Sequence, residues 1–150
     1  MEFDINVIKQ LRDETGAGVM DVRNALTNAM GDISKAKEEL YQKGLSKAEK
    51  RADREAKEGI IYSYIHTGSK LAAMVMLTCE TDFVAKTDDF SRYAKDIAMQ
   101  AATQEYSSLE ELMNAPFIKD ESKKISDLIS ELSAKTGEKV ELKNFVRFAI

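Results

Sequence analysis

A chain of 150 residues with 43% apolar and 32% charged side chains is long enough for one ordinary domain, or a small module plus a compact core, and too apolar to remain disordered. Its formal charge of −4, from 22 basic and 26 acidic residues, disfavours a phosphate backbone, so nucleic acid is not an expected partner. One cysteine, Cys79, permits no internal disulfide, the start "MEFDINVIKQ" lacks the basic and apolar regions of a secretory signal, and no window reaches the roughly 20 apolar residues of a membrane span; a cytoplasmic protein with no membrane partner is the expectation.

Residues 1–44 read as three short helices punctuated by glycines. Val7, Ile8 and Leu11 share one face of the first, which Asp4 can cap and Gly16 can end in the left-handed conformation. Val19, Val22, Leu26 and Ala29 recur at helical spacing in the second, up to Gly31. Asp32 caps a third helix carrying Ile33, Ala36 and Leu40, which Gly44 is expected to close. Residues 45–58, "LSKAEKRADREAKE", carry no aliphatic stripe after Leu45. Six basic and three acidic residues lie between Lys43 and Lys57, and the interspersed acids favour a solvated helical linker over a phosphate-binding patch.

From residue 59 to 150 the pattern is that of an α+β core domain. "IIYSYIH", the turn "TGSK" and "LAAMVMLTC" predict a β-hairpin, its second strand apolar enough to be covered on both faces. A helix follows, capped by Thr87 or Asp88, with Phe90, Ala94, Ile97, Ala98 and Ala101 on one face. A weaker helical piece spans Leu109 to Met113, and Pro116 follows it. The next helix presents Ile125, Leu128, Ile129 and Leu132 and stops at Gly137. "KVELKNFVRFAI" alternates, placing Val140, Leu142, Val146 and Phe148 on one face of a third strand. The predicted fold is thus a three-helix module, a charged connector and a three-stranded antiparallel sheet with helices packed on one face.

No enzyme site emerges. Glu80, Asp82, Asp88 and Asp89 do not follow the order of a calcium loop, and Asp88 and Asp89 suit a helix start, so no metal is expected. His66 is the only histidine and sits at a hairpin edge, with no zinc or Cys-His signature. "TGAG" at 15–18 has neither the lysine nor the preceding strand of a phosphate loop. No catalytic residue and no cofactor are predicted. Two stretches remain. Adjacent helical positions point about 100° apart, so of Val19 and Met20 one can face inward and leave the other exposed. Phe83 stands among carboxylates where a strand ends at Cys79; its residues alone leave open a core phenylalanine or a displayed one.

These two stretches, "LRDETGAGVMDV" and "CETDFVAK", occur in that order and closely resemble the two signatures of translation elongation factor Ts, the guanine-nucleotide exchange factor of elongation factor Tu. "GDISKAKEELYQKGL", "EGIIYSYIH" and "LSAKTGEKVELKNFVRF" are similar to the family's other blocks, so the resemblance runs from Ile5 to Phe148. It implies that Phe83 is a wedge entering the partner's nucleotide domain beside the magnesium and phosphate region, with Asp82 as its polar companion and Thr81 and Val84 completing the site. It also implies an N-terminal contact through Leu11, Arg12, Val19 and Met20. The chain departs from the family at Met76 and Thr78, where an acidic residue and an asparagine are usual, and it lacks several dozen residues before "APFIKD".

The implied function is binding elongation factor Tu and promoting GDP release, without covalent chemistry. Two other readings stand beside it: a shortened paralogue that binds without efficient exchange, and a peptide-binding adaptor, since the three-helix module resembles ubiquitin-associated domains. Because all three strands carry apolar residues on both faces while helices cover one, a homodimer packed through the open sheet face is expected.

Overall fold

The computed structural model describes residues 2–150. Helices α1 (Ile5–Thr15), α2 (Val19–Asn28) and α3 (Ile33–Arg51) form the N-terminal module. Their ends follow from local chemistry. Asp4 Oδ1 accepts the Asn6 N–H at 2.8 Å, Gly16 ends α1 at φ +69°, and Asp32 Oδ1 accepts the Lys35 N–H at 3.1 Å. Ile8, Leu11, Val22, Ala25, Leu26, Ala36 and Leu40 make one small buried cluster.

Gly44 does not close α3, which runs on to Arg51 through most of the charged connector. Gly44 keeps an ordinary helical backbone, and the lysines on either side of it reach back to α2. Lys43 and Lys47 donate to the two carboxylate oxygens of Asp21 at 2.6 and 2.8 Å. Part of the basic stretch is therefore satisfied internally.

The core domain begins with β1 (Glu58–Ile65) and β2 (Leu71–Cys79), followed by the helical turn α4 (Asp82–Ala85), α5 (Asp88–Thr103) and α6 (Leu109–Asn114). A two-stranded ribbon comes next, β3 (Pro116–Phe117) with β4 (Asp120–Lys124), then α7 (Ile125–Thr136) and β5 (Glu141–Ala149). The ribbon has no counterpart in the sequence reading, because "DESKK" is charged and exposed and shows no alternation. The main sheet is antiparallel in the order β1-β2-β5. Ala73, Val75, Leu77 and Cys79 of β2 are buried beneath Phe90, Ala94, Ile97, Ala98 and Ala101 of α5, and Ile125, Leu128, Ile129 and Leu132 of α7 join the same cluster. Each large side chain in that layer contributes on the order of 2 kcal/mol by leaving water.

Two expectations about the sheet are corrected. The central strand β2 is covered on one face only, and Met74 and Met76 on the other are exposed. Val146 and Phe148 do not share a face with Val140 and Leu142. Met76 pairs with Asn144 but Leu77 pairs with Leu142, so Lys143 is a bulged residue and the alternation flips beyond it. Phe145 and Arg147 turn inward instead: Phe145 meets the Tyr106 ring edge-on at 6.4 Å, and Arg147 Nε donates to the Ala102 carbonyl at 3.0 Å. The outer face thus gathers Ile61, Ile65, Met74, Met76, Val146 and Phe148, all exposed.

Candidate functional site

Strand β2 is anchored in the core up to Cys79, and the chain then leaves the sheet abruptly. Thr81 caps α4, its Oγ1 accepting the Val84 N–H at 3.4 Å. That single turn fixes what each residue does. Ala85 is buried and Val84 packs against the core, while Phe83 projects on the opposite side with 80% of its surface exposed. The ring is displayed, which rules out a core role in this conformation. Asp82 pairs with Lys86 at 3.0 Å, and that ammonium holds its carboxyl below the usual carboxylate range.

The loop is held from below by residues the sequence reading passed over. Glu138 Oε1 accepts the N–H groups of Glu80 and Thr81 at 3.1 and 3.0 Å, and its Oε2 accepts the Thr81 hydroxyl at 2.7 Å. In return Glu80 Oε1 accepts the Lys139 N–H at 2.7 Å and a donor of Arg54 at 3.3 Å; the Lys139 bond is the first reason the Glu80 carboxyl is held below its usual range. Lys139 Nζ donates to the Ala52 carbonyl at 2.7 Å, tying the end of the connector to the same place. "TGEK" reads only as a helix stop; its glycine in the left-handed conformation followed directly by an acid was the available signal.

Cys79 lies wholly buried with its thiol donating to the Thr81 carbonyl, and burial pushes its pKa up to about 11. Its reactivity as a nucleophile is correspondingly low. His66 is exposed at the hairpin, its Nδ1 2.8 Å from the Tyr64 hydroxyl. Among the described residues no group of three or more acidic, histidine or cysteine side chains could hold a metal, and no helix is long and apolar enough to cross a membrane.

At the N-terminal module Met20 is 65% and Val19 43% exposed, so both face outward. The expectation that one of them turns inward fails because they occupy the first turn of α2, before the helix meets its neighbours at Val22. Arg12 is exposed too, and with Val19, Ile5, Ile8 and Arg23 it lines one shallow groove, whose lining does not include Met20. Leu11 is 0% exposed and supports that surface from inside, offering no atoms to a partner. The structure does not bring this groove and Phe83 into one pocket; they are separate features of the surface.

Comparison with known proteins covers the whole of this arrangement. The family profile described as Elongation factor TS matches residues 80–150, from the Phe83 loop to the last strand. The Elongation factor Ts of Thermodesulfovibrio yellowstonii is 39% identical, in an alignment covering 100% of this chain and 97% of that protein. That of Desulforamulus reducens is 38% identical over 98% of this chain and 88% of its own length. That of Coprothermobacter proteolyticus is 36% identical over 100% and 99%. The T. yellowstonii alignment spans 194 positions against a chain of 150, so the relative has several dozen residues opposite gaps here.

Proposed function

The chain belongs to the elongation factor Ts family, and from that premise we propose that it is a guanine-nucleotide exchange factor that binds elongation factor Tu and promotes release of GDP. The observation that carries this reading is Phe83, an apolar ring held in solvent on a turn whose backbone is pinned to the core. Exchange needs no covalent step. If a protein binds its GTPase more tightly when nucleotide is absent, the nucleotide's affinity falls by the same factor when the protein is bound. A rigid ring at the end of a buried strand suits that task, because it distorts the partner's site without deforming itself. Asp82, kept ionised by Lys86, places a negative charge beside the ring and so disfavours the neighbouring magnesium and phosphate arrangement.

Within this reading residues 1–44 grip the partner through Arg12, Val19 and Met20, residues 45–58 connect, and residues 59–150 carry the wedge, with α3 running on through most of the connector. A reducing, cytoplasmic setting agrees with a lone buried thiol. Stopped-flow release of a fluorescent GDP from elongation factor Tu tests the whole: the rate rises and saturates with this protein. Binding without acceleration would instead favour a shortened paralogue, and no binding at all an adaptor of another class.

The N-terminal grip has its own test. Met20→Glu, which places a charge where an exposed apolar anchor stands, weakens association about tenfold or more while helix content by circular dichroism is unchanged. Unchanged binding would remove Met20 from the contact.

We also propose that two copies pack through the outer sheet face. Register places Ile65, Ala72 and Phe148 across the hairpin end of the sheet, and Ile61 and Met76 toward its middle, so the apolar surface lies away from the Phe83 end. Several hundred Å² of such surface is unusual for a monomer, and burying it yields gross energies on the order of 10 kcal/mol before association costs. Light scattering at micromolar concentration gives twice the 16.8 kDa chain mass, and Phe148→Lys halves it. A wild-type monomer that stays so on concentration overturns the dimer.

A further inference from the structure

We propose that Glu138 is a positioning residue for nucleotide exchange, setting the orientation of the Phe83 turn; the proposal rests on the exchange-factor reading above. The argument begins with hydrogen counting. The Thr81 hydroxyl has one hydrogen, and it goes to Glu138 Oε2 at 2.7 Å. Its lone pairs are thereby left facing the Val84 N–H, the bond that starts the helical turn bearing Phe83. The other carboxylate oxygen takes the N–H groups of Glu80 and Thr81, so three donors of one half-buried loop converge on a single side chain. Without Glu138 nothing else among the described residues accepts those two amides.

Glu138 can hold the loop because it is itself held. Gly137 ends α7 at φ +71°, Ser133 Oγ donates to the Glu138 carbonyl at 2.6 Å, and the Glu138 N–H reaches Thr136 Oγ1 at 3.3 Å. Helix α7 is packed in the core through Ile125, Leu128, Ile129 and Leu132, so the carboxylate is referenced to the rigid interior. Glu80 beside it accepts the Lys139 backbone N–H and is paired with the Arg54 guanidinium at 3.3 Å, so that cation offsets one of the two carboxylates. Val84 and Ala85 pack the turn against the core and the Cys79 thiol reaches the Thr81 carbonyl at 3.1 Å, while the Glu138 clasp is what ties the strand end to helix α7 and so sets the turn's orientation.

A ring loosened at its base still meets the partner but spends less of its binding on distortion, so the effect falls on the maximal rate more than on the concentration needed to reach half of it. In Glu138→Ala the maximal rate of stimulated GDP release drops about tenfold, while the half-saturating concentration stays within about threefold, because Arg12, Val19 and Met20 are untouched. Glu138→Gln keeps one carbonyl oxygen for the two amides and recovers most of the rate. Thr81→Val, which removes only the hydroxyl, lowers the maximal rate in the same direction and serves if Glu138→Ala is poorly folded. Amide hydrogen exchange of Glu80 and Thr81 in the free protein is slow in the wild type and fast in Glu138→Ala. If those amides become fast while the maximal rate is unchanged, or if only the half-saturating concentration moves, Glu138 has no positioning role. A wild-type protein that fails to accelerate GDP release sinks the exchange reading itself, and the amide data then stand as a separate result about the loop.

Discussion

The Phe83→Ala protein folds as the wild type does and loses most of its effect on GDP release. With 80% of its surface in solvent, Phe83 gives little to its own core, and alanine suits a helical turn that Thr81 still caps. The melting temperature therefore moves by only a degree or two, since a change well below 1 kcal/mol shifts a domain of this size by that amount. The stimulated rate falls on the order of a hundredfold, as befits the loss of one central aromatic anchor whose contacts form in the distorted state of the partner. Arg12, Val19 and Met20 keep much of the binding, so a complex with nucleotide-free elongation factor Tu persists in a pull-down or titration. Thermal melting and stopped-flow release on the same preparation decide the matter. A variant that melts many degrees lower places the ring in the core, and one that exchanges at full rate removes the wedge.

Gly59→Ala has a large effect of the opposite kind, on stability. Gly59 lies in β1 opposite Thr78 with φ +148°, a conformation that side chains rarely adopt. An added Cβ would stand 2.2 Å from the Leu77 carbonyl oxygen and 2.7 Å from the Thr78 Cα. Both are backbone atoms of the central strand, so no rotamer change relieves the contact. The cost is on the order of 3 kcal/mol, or a fall of about 10 °C in melting temperature. Gly44→Ala is the control: inside α3, with ordinary helical φ and nothing within 4 Å of the new Cβ, it stabilises by roughly 0.5–1 kcal/mol. Two glycines in one chain thus respond with opposite sign, and equal effects in a calorimetric melt would contradict the backbone account.

What the sequence alone determined is mostly local. Thr87 accepting the Phe90 N–H, Gly137 in the left-handed conformation, and the stripes Phe90–Ala101 and Ile125–Leu132 are where the reading put them, because a cap or a helical stripe is decided by residues three or four apart. The hairpin from residue 58 to 79 was legible for the same reason, as was the α+β class. The two motifs could be found by resemblance, but not which of their atoms meet solvent. Leu11 turned out buried and Val19 exposed, since only the assembled bundle defines its inside. Tertiary structure also decided three things that no local pattern encodes. The bulge at Lys143 depends on how β5 registers against β2, and it moves Val146 and Phe148 to the outer face. The passage of α3 through Gly44 goes with lysines reaching across to Asp21. The bonds from Glu138 to Thr81 join residues 57 apart and brace the loop that leads into the Phe83 turn. Each is a contact between distant segments, whose partner is known only once the chain has closed on itself.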